Sequence, residues 1–414
     1  MSLSLVVLLL VLLLIAVRRI GTITLSVWHI MGAGACVVII TGEISLPDAL
    51  RAIDPDIMIF LFCTFVIGQA LEESGYLAHL SYAIFKRAGT MNSLLAVVIG
   101  GSAAASALLM NDTLAIVGTP VMLLLAKRHN ISPKPLLLAL MFSITIGSVP
   151  SPIGNPQNLY IALHSPIPNP FITFLAWLFI PTVVNLGAVY LLIRRHHSDE
   201  FHDGMLRHSQ EPIKNHRLAV LARISLQLML VLIVVKILLG IFSIQAELRL
   251  THIAAASALP ILVAAPRRWA LLKRIDWPTM AFFAAMFILM QSVWNTGTFQ
   301  NMVRNASASL TSIEAILLIG IVLSQIISNV PLVALYQPLL LSSGILIPGL
   351  MALAGGSTIA GNLTIMGAAS NIIVLQSAEK RGWEGMSYAE FFRIGLPLTL
   401  INAFVYLAYF RMIV

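Results

Sequence analysis

The sequence predicts an all-α polytopic membrane protein built from two inverted-topology repeats, each with five transmembrane helices and one re-entrant hairpin. Composition, an internal repeat and opposite charges on equivalent loops predict this fold. Of the 414 residues, 58% are hydrophobic and only 10% are charged, whereas soluble domains carry about 25% charged residues. Apolar runs such as 218–242 and 391–410 satisfy the roughly 17–25 residues that a membrane span needs.

Charge and motifs exclude several functional classes. A net charge of +8 would suggest nucleic acid binding in a soluble protein, but basic residues in a membrane protein gather in cytoplasmic loops. Cys36 and Cys63 lie in different apolar segments and form neither a disulfide framework nor a metal-binding spacing. The sequence lacks a Walker A motif, HExxH and GxSxG, so we expect neither an enzyme nor a nucleic acid partner.

An internal repeat divides the chain into two halves. Residues 53–75 align without gaps to 275–297 with 7 identities in 23 positions, at an offset of 222. Identical residues further along also pair, namely Asn111 with Asn329, Pro120 with Pro338, Gly154 with Gly367, and Asn158 with Asn371. The offset falls to 213 at the last two pairs, as small loop insertions would produce.

The repeat predicts the boundaries of the chain's segments. The first repeat spans 1–195 and contains a hairpin at 92–126 and a broken helix at 136–163. A charged linker at 196–217 follows. The second repeat spans 218–414, with a hairpin at 312–342 and a broken helix at 349–378. Basic pairs at Lys86–Arg87 and Lys127–Arg128 flank the first hairpin, so both of its ends are predicted on the same side.

Charge on equivalent loops predicts that the halves are inverted. The loop Glu43–Asp56 has a net charge of −3, whereas its counterpart Arg267–Asp276 has +3. The same loop therefore lies outside in one half and inside in the other, as inverted repeats require. Arg18 and Arg19 follow the first apolar run, whereas a signal peptide has its basic residues before that run. We therefore expect a first span there and a prokaryotic inner membrane location.

Four polar interruptions occur in otherwise apolar sequence, as two repeat-matched pairs. One pair lies in mid-hairpin and the other in the broken helices, where three prolines and two glycines in 147–156 exclude a continuous helix. Irregular backbone at membrane depth is tolerated only inside protein or along an aqueous cavity. The predicted substrate- or ion-binding residues are Asn111, Asp112, Thr113, Gly154, Asn155, Gln157, Asn158, Ser328, Asn329, Thr364, Gly367, Ser370 and Asn371.

The chemistry of these segments suits a small solute and a coupling ion. Unwound carbonyl groups bind cations, and half-helix N-termini face anions or polar solutes. Na⁺ is predicted at Asn111, Asp112, Gly154, Asn329 and Gly367, with H⁺ as the alternative coupling ion and no other cofactor. The competing interpretation is that small and polar residues simply hold membrane helices together.

Asp112 has two separate interpretations. An ionisable residue deep in a membrane is a functional candidate, which could bind Na⁺ or carry a proton. It could also cap the second hairpin helix, which is predicted at 113–126. The second half has Val330 at the matching position, so the halves differ there.

Several motifs resemble the ion transporter superfamily, which includes arsenite permeases, citrate and dicarboxylate permeases, and related sodium/proton antiporters. They are LEESGYLAHL (71–80), MNDTLAIVGTP (110–120), IGNPQNLYI (153–161), SNVPLV (328–333), GNLTIMGAASN (361–371) and YAEFFRIGLPLTL (388–400). The resemblance implies an elevator-type transporter, commonly a homodimer. Sodium-coupled carboxylate members carry Ser-Asn-Thr at both tips, whereas here the first tip reads Met-Asn-Asp and the second Ser-Asn-Val-Pro.

These observations predict a secondary transporter in the lipid bilayer for a small inorganic or carboxylate anion, or for arsenite. Coupling would be to Na⁺ or H⁺. The alternative is a sodium/proton antiporter of the same fold that uses Asp112 as the exchanging carboxylate. A channel agrees less well, because paired hairpins and broken spans suit alternating access.

Overall fold

A computed structural model shows a helical protein. It describes residues 2–17, 19–20, 23–24, 26–76, 79, 88–200, 213–242, 244, 248–297, 312–344, 347–379, 381–383 and 386–413. Residues 201–212 of the predicted linker and the basic pair Lys86–Arg87 lie outside the described residues.

The first half contains nine described helices. They are α1 (Leu3–Val17), α2 (Val27–Ile40), α3 (Leu46–Ala52), α4 (Pro55–Ser74), α5 (Met91–Leu109), α6 (Asn111–His129), α7 (Pro133–Ser148), α8 (Pro156–Leu163) and α9 (Pro170–His196). Two short strands, β1 (Arg19–Ile20) and β2 (Ile23–Thr24), pair antiparallel between α1 and α2. A 3₁₀ turn at Ser198–Glu200 follows α9.

The second half also contains nine described helices. Its described helices are α10 (His216–Ile241), α11 (Leu250–Ala264), α12 (Arg268–Leu272), α13 (Trp277–Asn295), α14 (Ile313–Ile327), α15 (Asn329–Ser342), α16 (Ile347–Ile359), α17 (Ala369–Glu379) and α18 (Tyr388–Ile413). Two 3₁₀ turns, Ala360–Asn362 and Ile365–Gly367, lie between α16 and α17. The loops Glu43–Asp56 and Arg267–Asp276 each contain a short helix, α3 and α12, that the sequence did not predict.

Two aspartates that align between the halves, Asp54 and Asp276, begin the helices α4 and α13. Asp54 accepts a hydrogen bond from the Ile57 N–H at the start of α4, and Asp276 accepts one from the Thr279 N–H at the start of α13. Each carboxylate thus satisfies a backbone donor that a helix start leaves free.

Six described helices are long and apolar enough to cross a membrane: α4, α5, α9, α10, α13 and α18. Shorter apolar helices include α7, α11 and the helices of the second hairpin. Large apolar side chains such as Val220, Val231 and Val234 are exposed along α10. Exposed apolar faces of this extent are expected where lipid is the solvent.

The helices pack in two groups. The framework group comprises α1–α4 and α10–α13, with α2 against α13 and α4 against α10 and α11. The site group comprises α5–α9 and α14–α18, with α5 against α7, α14 against α16, and α9 against α18. Contacts between the groups, chiefly α4 with α6, α13 with α15 and α1 with α14, are less extensive than those within either group.

Candidate functional site

The first broken span is held open by one buried amide. Between α7 and α8 the chain unwinds, and Asn158 Nδ2 lies 3.2, 3.0 and 3.0 Å from the carbonyl oxygens of Ser148, Val149 and Ser151. Asn155 caps α8 by accepting the Asn158 N–H at 2.8 Å. Because Asn158 satisfies carbonyl groups that the helix break leaves free, it fixes the shape of the unwound segment.

The second broken span uses the matching asparagine for the same task. Asn371 Nδ2 donates to the carbonyl oxygens of Gly361 at 2.7 Å and Thr364 at 3.4 Å. Asn371, like Asn158, is fully buried. Both asparagines therefore help to hold the helices together, as the competing interpretation of these residues states. Only their amide nitrogens take part in that structural role.

The hairpin tips adopt a rare backbone conformation at equivalent positions. Met110 has φ 61° and ψ 141°, and Ser328 has φ 70° and ψ 153°. Residues without glycine's freedom seldom adopt this region, and such positions cluster at functional sites. The Asn111 N–H donates to the Gly154 carbonyl at 2.9 Å, which joins the first tip to the unwound segment.

Asp112 does not cap its helix, so that interpretation was wrong. The helix α6 begins at Asn111, and the Asn111 side-chain oxygen accepts the Asp112 N–H at 2.9 Å. Asp112 itself lies in the first turn with 6% of its surface exposed. It forms no salt bridge within the described part of the chain.

Several predicted site residues have buried oxygen atoms without a hydrogen-bond partner among the described residues. The atoms are Thr113 Oγ1, Asn158 Oδ1, Asn329 Oδ1, Ser370 Oγ and Asn371 Oδ1. Folded proteins leave few buried polar atoms unsatisfied, and each such atom calls for an explanation such as a bound water or ion. Oxygen acceptors from both halves are therefore free to bind a ligand.

The two halves contact each other at this place. The side-chain nitrogens of Asn155 and Gln157 lie 3.3 and 3.2 Å from Thr358 Oγ1, at the end of α16. The second hairpin helix of each half packs against the second half-helix of the other, α6 against α17 and α15 against α8. The predicted residues thus belong to one assembly rather than to two separate sites.

Sequence analysis missed two residues that hold the second half of this assembly. Thr358 Oγ1 accepts hydrogen bonds from the side-chain amides of Asn155 and Gln157 in the first half. Gln325 donates to the Ala360 carbonyl at 2.6 Å and accepts from Thr364 Oγ1 at 2.9 Å, so Thr364 is fixed by Gln325. The isolated glutamine in the apolar sequence of α14 was a usable signal.

The predicted glycines allow close backbone approach. A Cβ on Gly154 would lie 2.3 Å from the Ser148 carbonyl oxygen, and one on Gly367 would lie 2.7 Å from the Ala360 carbonyl oxygen. A side chain at either position would collide with the backbone of its own unwound segment. Gly154 and Gly367 therefore shape the site without offering a side-chain ligand.

A small cleft lies between the two groups. It is lined by Gly68, Gln69 and Glu72 of α4, by Thr113 of α6 and by Asp276. Its lining thus includes one predicted site residue, Thr113. No group of three or more His, Cys, Asp or Glu side chains forms a metal cluster among the described residues.

Comparison with known proteins points to membrane transport. Residues 6–345 match the sequence profile of the citrate transporter family, CitMHS. The chain is 27% identical to the silicon efflux transporter LSI3 of Oryza sativa subsp. japonica and 29% identical to the uncharacterized transporter Mb2703 of Mycobacterium bovis, with 89% of each chain covered in both cases. The YdaH transporter of Alcanivorax borkumensis has the same fold, with a TM-score of 0.59, 16% identity, and coverage of 99% of this chain and 97% of that one.

Proposed function

Because the chain belongs to the citrate transporter family and is an integral multi-pass membrane transporter, we propose that it is a secondary transporter of a small, oxygen-rich solute, driven by Na⁺ or H⁺. The family match confirms the predicted resemblance to the ion transporter superfamily. The solute, the coupling ion and the movement remain proposals.

The observation that carries this proposal is the matched pair of helix breaks with free buried oxygens. Two asparagines, Asn158 and Asn371, use their nitrogens to hold unwound carbonyls and leave their oxygens unpartnered. Asn329 at the second tip also has a free oxygen. Each unsatisfied buried acceptor costs about 1–3 kcal/mol, so a bound solute or ion that pairs with these oxygens would be stabilised.

The site combines acceptors with donors. The N-termini of α6, α8, α15 and α17 contribute backbone N–H groups and a partial positive charge. Asparagine and threonine oxygens accept from hydroxyl groups. This combination suits a small inorganic or carboxylate anion, or a hydroxylated neutral solute such as arsenite, and the names of the citrate family and of the silicon transporter agree with that class.

The same oxygens suit a coupling cation. Hard cations prefer oxygen ligands, and Asn329 Oδ1 is free to provide one. Asn111 Oδ1 and the Gly154 carbonyl each already accept one hydrogen bond, but an sp² oxygen has a second lone pair. Asp112 adds a buried carboxylate nearby in sequence. Na⁺ at the five predicted residues, including Gly367, therefore remains the proposal.

The two helix groups support an elevator-like movement. The site group carries both tips and both unwound segments, and it contacts the framework group mainly through α4–α6, α13–α15 and α1–α14. Rigid-body displacement of one repeat-built bundle past another is a common form of alternating access. An inverted orientation of the halves, a homodimer and an inner-membrane location complete this proposal.

Thermal stabilisation of the purified protein tests the proposal. The panel contains Na⁺, Li⁺, low pH, arsenite, sulfate, phosphate, citrate, succinate and silicic acid. A ligand that binds the folded state raises the melting temperature by mass action. We expect one oxygen-rich solute to stabilise the wild type but not Asn329→Ala. Stabilisation that persists in Asn329→Ala would exclude this site.

A sodium/proton antiporter is the second candidate, because Asp112 is buried and lacks a salt bridge among the described residues. Such a carboxylate can exchange a proton for a cation. This candidate predicts that only Na⁺, Li⁺ or pH shifts the melting temperature, and that Asp112→Asn removes the response. A solute-dependent shift in the wild type would reject it.

A further inference from the structure

His164 has two hydrogen-bond acceptors around one imidazole ring. Its Nδ1 lies 3.0 Å from the Tyr160 carbonyl oxygen, and its Nε2 lies 2.7 Å from Asp54 Oδ2. A carbonyl oxygen only accepts hydrogen bonds, and so does an ionised carboxylate. Both ring nitrogens must therefore carry a hydrogen, which makes His164 an imidazolium cation in this conformation.

The contact between His164 and Asp54 joins the two helix groups. His164 ends α8, whose opposite end carries Asn155, Gln157 and Asn158 of the proposed site. Asp54 begins α4 of the framework group, and its Oδ1 accepts the Ile57 N–H at 2.9 Å while Oδ2 receives His164. The helix cap thus fixes the orientation of the carboxylate that holds the histidine.

The surroundings favour a cationic ring. The Tyr160 ring stacks on His164 with centroids 4.2 Å apart and planes at 22°, a geometry that favours a cation over an aromatic face. Asp56 adds negative charge but is itself 3.8 Å from Arg249. On the other side, Ser165 accepts a hydrogen bond from the neutral Gln337 of α15. Neither α15 nor α16, which pack against α8, has a charged residue, and their one titratable side chain is Tyr336.

The charges determine the pH range of the pair. Burial, the largest single effect, would lower the pKa of His164, but the hydrogen bond to Asp54, the charges of Asp54 and Asp56 and the Tyr160 carbonyl together raise the pKa above the ordinary value. Burial, again the largest single effect, would raise the pKa of Asp54, but the hydrogen bond and charge of His164 and the backbone N–H groups of Ile57 and Asp56 together lower the pKa. The ion pair between His164 and Asp54 is therefore formed at mildly acidic pH and is lost as the pH rises through the raised pKa of His164.

Water can supply the proton. The side chains of His164 and Asp54 are 35% and 18% exposed, so the pair lies at an edge of the protein rather than in its core. In the predicted orientation this edge faces the outside, because the loop Glu43–Asp56 has only one basic residue, Arg51, and basic residues gather in cytoplasmic loops.

We propose that His164 is a proton-binding site that clasps the site group to the framework group on the external face. The proposal rests on the alternating-access function proposed above. A proton on His164 holds α8 against the start of α4, and loss of that proton frees the half-helix that carries Asn155, Gln157 and Asn158. External protons thereby regulate when the site group can move.

The equivalent position in the second half lacks this site. At the offset of 213, His164 corresponds to Ser377, whose hydroxyl oxygen accepts from Arg381 at 2.6 Å. Asp276, the equivalent of Asp54, accepts from Thr279 with both carboxylate oxygens. Sensitivity to pH is therefore expected on one side of the protein only.

Carbon-13 NMR of the histidine rings tests proton binding directly in detergent-purified protein. The His164 resonance is assigned by its loss in His164→Gln, and that of His196 by its loss in His196→Gln. His196 is the matched control, because its Nδ1 also contacts the carbonyl four residues earlier, at 3.2 Å, but it forms no salt bridge among the described residues. We expect the pKa of His164 to lie above the ordinary value of a histidine, and Asp54→Asn to weaken its proton affinity by about tenfold or more while leaving the His196 resonance unchanged. An unchanged titration in Asp54→Asn overturns the proposal.

Solute exchange in proteoliposomes then tests the regulation. The wild type should exchange solute several-fold more slowly at external pH 5.5 than at about pH 8.5, because the clasp is closed at low pH. His164→Gln should abolish that difference, whereas His196→Gln should keep it. A pH difference that survives His164→Gln overturns the clasp. Absence of exchange for every solute of the panel would instead reject the proposed function, and the NMR titration would still decide the proton site.

Discussion

The two halves of the molecule share their architecture but differ in their chemistry. Asn158 and Asn371 hold the unwound segments with their amide nitrogens, and Asp54 and Asp276 cap the equivalent helices α4 and α13. These shared features concern the backbone, because every break in a membrane-buried helix must satisfy its freed carbonyl and N–H groups.

The differences concern titratable groups. The first half has Asp112 at its tip and His164 at the end of α8, whereas the second half has Val330 and Ser377. We infer that the repeat supplies a symmetric frame for the solute, and that the first half adds the groups that respond to protons.

The largest expected effect tests the shared frame. Asn158→Leu should abolish transport and lower the free energy of unfolding by roughly 2 kcal/mol, at about 1 kcal/mol for each of the two N–H donors that its amide shares among three carbonyl oxygens. Asn371→Leu should cost no more than that, because its second contact, with the Thr364 carbonyl oxygen, is 3.4 Å long. Denaturation in detergent measures both, and a larger loss in Asn371→Leu would contradict the assignment.

Each half also has a glycine at a close contact between helices. A Cβ on Gly147 would lie 2.3 Å from Ala103 Cα, and one on Gly356 would lie 2.6 Å from the Leu317 carbonyl oxygen. Gly147→Ala and Gly356→Ala should each destabilise the protein by about 1–3 kcal/mol through overpacking. Gly187→Ala is the control, because nothing lies within 4 Å of its Cβ position. Equal melting temperatures for all three variants would show that the close approaches are unimportant.

The helix caps should be equivalent at high pH and unequal at low pH. Asp54→Ala and Asp276→Ala each remove a cap worth about 1 kcal/mol. Asp54→Ala also loses the His164 pair, whose contribution is present at mildly acidic pH and disappears above the raised pKa of His164. Melting temperatures measured from pH 5.5 to about pH 8.5 should therefore converge at high pH. Curves that stay parallel would contradict the clasp.

The smallest effects are expected at exposed ion pairs. Lys134 and Glu390 approach to 2.6 Å near the start of α18, and Arg411 and Glu314 approach to 3.2 Å near its end. Both pairs are exposed to solvent, so Glu390→Gln and Glu314→Gln should each change stability by about 1 kcal/mol or less. A larger loss measured by thermal unfolding would indicate a network beyond these pairs.

The breaks in the helices could be predicted from sequence because polar residues and prolines are costly in a membrane span. The tip at Asn111 and the unwound stretch after Ser148 follow directly from that cost. The start of α6 was placed two residues late, at 113, because the rare backbone conformation of Met110 has no sequence signature.

The cross-chain contacts could not be predicted. Asp54 and His164 are far apart in sequence, and neither the cap nor the stacking tyrosine identifies the other as a partner. Thr358 was equally hidden, since its role depends on how α16 meets the start of α8. Such pairs depend on helix packing, whereas local patterns report only on single segments. The boundaries of the repeats and the linker remain predictions.

Transport by tip variants in proteoliposomes tests the central claim most directly. Asn111→Ala and Asn329→Ala are compared with the wild type for uptake of the stabilising solute, with melting temperature as the control for folding. A single site built from both halves predicts that each variant loses uptake. Because Asn329 Oδ1 has no partner to lose within the described part of the chain, Asn329→Ala should keep its melting temperature. Normal uptake by either folded variant would contradict a site shared by the two halves.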